Sequence, residues 1–347
     1  MRKKILNALK LLLFLGIGVF FIWLFVKDLT PEQKKDIYRS FVEADFTWFY
    51  VSMLVGVVSH FIRAMRWKML LKPMGYNPSN KNITMAVFIG YLANLALPRL
   101  GEVTRCGTLT RYEKVPFQKG FGTVITERAL DMLTFILLFI ITVAIHFEKI
   151  KDYLYIRVLT PLEDKLATLQ HTNYIIYIIV ALLIGLSIYM YRIRNRFEHL
   201  FIYIKFREVV KGLFEGIKSL LKMERPWLFI LYTLLIWGTY WLMTHVIFMS
   251  MDETMHLGLN ASLVVLMFGS IGIIVVQGGI GIYPAIVAET LILYNIPEVN
   301  GYALGWLLWS AQQIIIILIG SLSFGLLPVL NKFNKDEQIK YHTIKDS

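Results

Sequence analysis

The chain has 347 residues, of which 56% are hydrophobic and only 17% charged, too apolar a composition for an ordinary soluble domain. Its formal charge of +12 suggests nucleic acid, but the basic residues flank apolar runs and build no separate basic domain, which excludes that partner. A single cysteine, Cys106, excludes an internal disulfide framework and a thiolate zinc cluster.

Apolar runs long enough to cross roughly 30 Å of hydrocarbon as helix lie at 7–26, 46–62, 117–145, 174–191, 227–250 and 301–328, which predicts six full spans. The first follows Arg2, Lys3 and Lys4, and no small-x-small cleavage site follows Val26, so it reads as an uncleaved span rather than a signal peptide. The second ends in Arg63-Ala-Met-Arg66-Trp67-Lys68, which suits a basic and aromatic interface belt as well as it suits a grip on lipid headgroups.

Two apolar segments are too short to cross comfortably. Residues 83–97 end at Pro98-Arg99-Leu100-Gly101-Glu102, and 261–276 end at Gln277-Gly278-Gly279-Ile280-Gly281. Each predicts a re-entrant or broken helical hairpin beside a substrate site. Between the halves, 192–225 keeps a helical rhythm, with Leu213, Ile217 and Leu220 on one face and lysines on others. This predicts a cytoplasmic amphipathic helix at about 197–223.

The hairpins belong to a repeat. Val115-Pro116 and Ile296-Pro297 both open apolar-Pro-x-x-x-Gly-aromatic, at an offset of 181 residues. With the N-terminus inside, 27 lysines and arginines fall in inner segments and 8 in outer ones, so the positive-inside rule places both termini in the cytoplasm of a multi-pass cell-membrane protein. The span at 117–145 then runs outward and its counterpart at 301–328 inward, making the repeats inverted. The fold class expected is an all-α integral membrane protein: a polytopic helix bundle of six full spans and two hairpins. The chain, 1–347, is read as a single transmembrane domain with halves at about 46–145 and 227–328 and no soluble catalytic domain.

Glu127, Arg128 and Asp131 lie about 15 to 20 Å into the third span at 1.5 Å per residue, near the midplane. Ionisable groups are costly at that depth and mark a pathway or a helix-joining charge cluster. Arg128 can reach Asp131 at i, i+3. At the first break, Asn94, Arg99, Glu102 and Arg105, with backbone amides freed by the turn, offer an anion site, and arginine suits phosphate because its planar fork bonds two oxygens. Arg63 and Arg66 join them as candidate headgroup contacts. Gly278, Gly279 and Gly281 permit the positive φ and close backbone approach that a loop at membrane depth needs. Arg111 reads as an interface residue, and His60 and His245 as packing histidines. The seven histidines show no ligand spacing, so neither a metal nor a cofactor is expected, and catalysis has little support.

At these residues the sequence resembles the flippase-like membrane proteins related to the transmembrane region of lysylphosphatidylglycerol synthase. The resemblance runs from about residue 10 to 330. It is carried by Arg63 to Trp67, the stretch from Asn94 to Arg105, Glu127-Arg128-x-x-Asp131 and Gly278-Gly279-Ile280-Gly281. It implies a helical fold with two inverted re-entrant elements and movement of lipid between leaflets. Aminoacyl transfer is not implied, because that activity belongs to a soluble C-terminal domain and only about 17 residues follow the last span here. Where the family pattern has a glutamate after the glycine turn, this chain has Pro284, and Glu289 is the nearest acid.

The function expected is therefore a non-enzymatic lipid translocase for a phospholipid or polyprenyl-phosphate-linked lipid with an anionic or phosphate-bearing headgroup; homo-oligomers are compatible with it. One alternative is a membrane enzyme acting on lipid-linked sugars, using outer-loop acids among Asp28, Asp36 and Asp45. Another is a non-transporting accessory protein of envelope synthesis. Cys106 is expected in or just after the first hairpin, open to a maleimide from the cytoplasmic side.

Overall fold

A computed structural model describes residues 30–97, 99–155 and 225–345, together with Trp23 and Lys27; side chains at 152–154, 277 and 332–345 are outside the description. Apart from Trp23, the expected spans at 7–26 and 174–191 and the amphipathic helix at 197–223 lie outside the described residues. Every regular element among those described is helical.

Helix α1 (Pro31–Glu43) starts at a capping box, Thr30 with Gln33, and has Pro31 in its first turn, where a missing N–H costs nothing. Helix α2 (Phe46–Leu71) starts at Asp45, whose carboxylate accepts from the Thr47 amide at 2.9 Å. Bonding to Thr47 holds the Asp45 carboxyl below the usual carboxylate range. The helix carries the apolar run on through Arg63 and Arg66 to Leu71, and both guanidinium groups are buried and paired with acids rather than lying at an interface.

Helices α3 (Asn80–Ala96) and α4 (Leu100–Glu113) form the first hairpin. Leu97 is extended, as the residue before a proline must be, and Arg99 turns the chain at φ 64°. The arms touch backbone to backbone, since a Cβ on Gly101 would strike the Gly90 carbonyl. Lys114 (φ 56°) ends α4, and Pro116 precedes α5 (Phe117–Ile145), followed by α6 (Phe147–Leu154). Helix α7 (Pro226–Phe248) has proline at its start. Helices α8 (Leu259–Val275) and α9 (Ile282–Ile292) form the second hairpin, turned by positive φ at Gly278, Gly279 and Gly281. Pro284 is buried in it, against the backbone seam at Gly305 of α10 (Glu298–Lys345), while Glu289 is exposed.

The repeat is visible in these starts. Phe46 and Pro226, Asn80 and Leu259, Leu100 and Ile282, Phe117 and Glu298 open matching helices, each pair about 181 residues apart. The packing repeats too: α2 lies on α7, α3 on α10, and α8 on α5. By length and composition, four described helical segments can cross a membrane: Phe46–Met74, Phe117–Ile145, Pro226–Phe248 and Glu298–Asn331. Apolar side chains such as Leu54, Ile140, Leu234 and Leu322 lie exposed on their outer faces, as suits lipid rather than water.

Two packed cores occupy opposite ends of α2 and α7. One gathers Phe49, Phe248, Tyr283 and Leu304; the other gathers Trp67, Leu71, Leu109 and Phe229. From Phe49 in one core to Ala64 in the other is roughly 22 Å along α2 at 1.5 Å per residue, and a smaller cluster of Phe88, Met243 and Ile315 packs between them. Each helix contributes to both, and the site lies at the waist between them.

Candidate functional site

Helices α2 and α5 bring opposite charges face to face. Arg63 and Arg66 stand one turn apart on α2, and Glu127 and Asp131 one turn apart on α5. Arg63 Nη1 donates to Glu127 Oε1 at 3.0 Å and to Asp131 Oδ2 at 2.8 Å. Arg66 Nη2 donates to Asp131 Oδ1 at 2.6 Å and to Glu127 Oε1 at 3.4 Å. Arg105, arriving from α4, donates from Nη2 to Glu127 Oε2 at 2.9 Å, with its guanidinium 4.6 Å from the centre of the Trp67 ring. Glu127 and Arg66 are fully buried. Such a set is stable only because each carboxylate oxygen receives charged donors.

Neutral groups complete it. Arg66 Nη1 donates to Thr233 Oγ1 and Arg63 Nη2 to the Tyr240 hydroxyl, both on α7. Trp67 Nε1 donates to Thr123 Oγ1. The cluster thus ties α2, α4, α5 and α7 together.

The expected pairing of Arg128 with Asp131 is not the one the fold makes. Asp131 is held by the two α2 arginines, while Arg128 Nη2 lies 3.3 Å from Glu102 Oε1 on α4, with 42% of its side chain exposed. It faces a cavity of about 400 Å³ lined by both halves. Arg63, Arg128, Asp131, Tyr91, Tyr240 and His60 form its polar part. Phe135, Leu266, Ile315 and Ile316 are among its apolar walls. Met132, Ile273 and Ile274 line the cavity and also belong to the exposed apolar surface, so its rim between α5 and α8 merges with the lipid-facing side.

The other candidates have different places. Asn94 Oδ1 accepts from the Gly101 amide at 2.7 Å, so this amide of the first turn is committed to holding the hairpin rather than free for an anion. Asn94, Arg105 and Arg128 surround a water-sized pocket of about 10 Å³ behind Tyr91. Arg99 is exposed at the hairpin tip, away from both cavities. The Gly278 carbonyl accepts from Trp309 Nε1 at 2.6 Å, and Gly278, Gly279 and Gly281 shape the second turn without lining the cavity. Arg111 is exposed beside Tyr112. Among the described residues no three of His, Cys, Asp and Glu converge as metal ligands.

Sequence reasoning missed Tyr91, Trp237, Tyr240, Ser270 and Gln312 in the cavity wall and treated His60 as packing, although it also lines the cavity. The signal for the ion cluster was present, since two cations three apart on one span match two acids four apart on another. No such signal marked the neutral lining. Cys106 is buried against Gly120 in the core that holds Trp67 and Leu109, which corrects the expectation of ready labelling. A maleimide should modify it at least tenfold more slowly in the folded protein than after denaturation, read by mass spectrometry; equal rates would show α4 packed differently.

A UPF0104 membrane protein of Methanocaldococcus jannaschii is 35% identical to this chain over 91 residues, 25% of the chain and 26% of that protein. The glycosyltransferase AglD of Haloferax volcanii is 30% identical over 93 residues, 26% of the chain and 15% of that protein. The matches therefore span only a minor part of either relative's length. No solved structure matches. The model of the lysylphosphatidylglycerol synthase TM region matches residues 7–320, and the chain belongs to that family of multi-pass membrane proteins.

Proposed function

We propose that the protein is a lipid translocase, moving a phospholipid or polyprenyl-phosphate-linked lipid between leaflets without altering it. The observation that carries this reading is the cavity: polar and net cationic on one wall, apolar on the rest, and open sideways where Met132, Ile273 and Ile274 meet the bilayer. A soluble solute needs no lateral apolar rim, whereas a lipid needs one for its chains while its headgroup crosses. With the termini cytoplasmic, as the charge pattern favours, the first hairpin dips from the inside and the second from the outside. That arrangement suits alternating access to one site.

Family membership, and similarity to a protein named as a glycosyltransferase, support a role in lipid or glycan envelope synthesis. An enzyme acting on lipid-linked sugars is the second reading. Of its outer-loop acids, Asp45 already caps α2, which leaves that reading the weaker one.

The test is reconstitution into vesicles carrying headgroup-labelled lipids extracted from the native membrane, with outer-leaflet label quenched by dithionite. The wild type should expose inner-leaflet label faster than protein-free vesicles, and Arg128→Ala should slow this at least tenfold while melting at the wild-type temperature. A wild type no faster than empty vesicles across all the native lipid classes would sink the proposal.

A further inference from the structure

Resting on the translocase reading, we infer that the cavity accepts a headgroup with one negative phosphate charge and no amine, seated against Arg128. Two observations point there: the charge count of the site and the commitment of its acids.

The site holds Arg63, Arg66, Arg105 and Arg128 against Glu102, Glu127 and Asp131. One positive charge is left uncompensated, which suits one phosphodiester or singly ionised phosphate ester. The excess is placed by geometry. The guanidinium groups of Arg63, Arg66 and Arg105 each donate to Glu127, and the first two also to Asp131. Arg128 has one looser contact, at 3.3 Å to Glu102, and no hydrogen bond to any described residue from the rest of its fork. It is also the most exposed of the four. Planar and with five donors, it can keep Glu102 on one nitrogen and take phosphate oxygens on the others.

The acids explain the exclusion. A primary ammonium group entering the cavity beside four guanidinium groups is best balanced by a carboxylate with room for it. Both oxygens of Glu127 and both oxygens of Asp131 already accept from arginines, and Asp131 shows only 13% of its side chain. The free oxygen of Glu102 is buried and Glu102 does not line the cavity. An amine would therefore lose its hydration beside a net cationic wall whose one cavity-lining carboxylate, Asp131, is already held between the Arg63 and Arg66 guanidinium groups. The Tyr240 hydroxyl, which already accepts from Arg63, has its own proton left to donate and adds a contact for a phosphate oxygen instead.

The test is titration calorimetry on the full chain in detergent with chain-matched short lipids. The probes are phosphatidylglycerol, phosphatidylethanolamine, an aminoacylated phosphatidylglycerol and inorganic phosphate. Phosphatidylglycerol should bind at least tenfold tighter than either amine-bearing lipid. Arg128→Gln should erase that preference at unchanged melting temperature, and Arg128→Lys should retain part of it. An amine-bearing lipid binding equally well or better, or a preference surviving Arg128→Gln, overturns the inference. Inorganic phosphate binding as tightly as phosphatidylglycerol would uphold the charge rule and point to a free anion as the ligand. Selective binding of phosphatidylglycerol without movement in vesicles would uphold the selectivity and refute the translocase reading.

Discussion

Replacing Glu127 with glutamine is expected to destabilise the protein by roughly 3–5 kcal/mol, the usual cost of breaking a buried ion pair from one side. Glu127 is fully buried and receives donors from three arginines brought by two helices. The substitution keeps the volume and removes the charge that justifies three guanidinium groups at membrane depth. With the acid gone, the excess positive charge of the site doubles at a position that is itself fully buried. Thermal melting in detergent, or denaturation by increasing dodecyl sulfate fraction, measures the loss. A second substitution, Arg105→Gln, should recover part of it, because Arg105 gives its one hydrogen bond in the cluster to Glu127 and becomes a surplus cation without that partner. A non-additive cycle of this sign identifies a cluster balanced as a unit. If Glu127→Gln melted like the wild type, the ion cluster would not be the joint holding α2, α4 and α5.

Gly101→Ala should unseat the first hairpin. Its new Cβ meets the Gly90 carbonyl in the opposing arm and sits 2.6 Å from Asn94 Cγ. Neither obstacle is the free end of a flexible chain, since Asn94 is tethered by its bond to the Gly101 amide. Overpacking of this kind costs roughly 1–3 kcal/mol and more where backbone must move. Gly107, on the same helix α4, has open space around its Cβ position. Gly107→Ala should therefore be neutral or stabilise, since alanine is the better helix former by about 1 kcal/mol. Expression level and melting temperature of the two variants should diverge. Equal behaviour would mean that the close approach of α3 and α4 does not set the fold.

The helices were legible in the sequence because lipid demands long apolar runs, and the breaks because Pro98 and the 278–281 glycines leave few other backbone options. The half-to-half repeat was legible in two short motifs, and the matched helix starts have the same spacing. The end of α2 was not: polarity at Arg63 and Arg66 looked like an interface, and only the acids of another helix make their burial affordable. The same long-range pairing hid the partner of Arg128, since spacing along one helix suggested Asp131 while α4 supplied Glu102. Cavity-lining Tyr240, Trp237 and Gln312 carry no local mark, because their role comes from two repeats meeting.

The two side-chain cores act as stoppers. Each sits at one end of the packed pair α2 and α7, with the waist cavity between them. On the translocase reading, opening the cavity to either face loosens one stopper, and since α2 and α7 are embedded in both, tilting them to unpack one end works against the other.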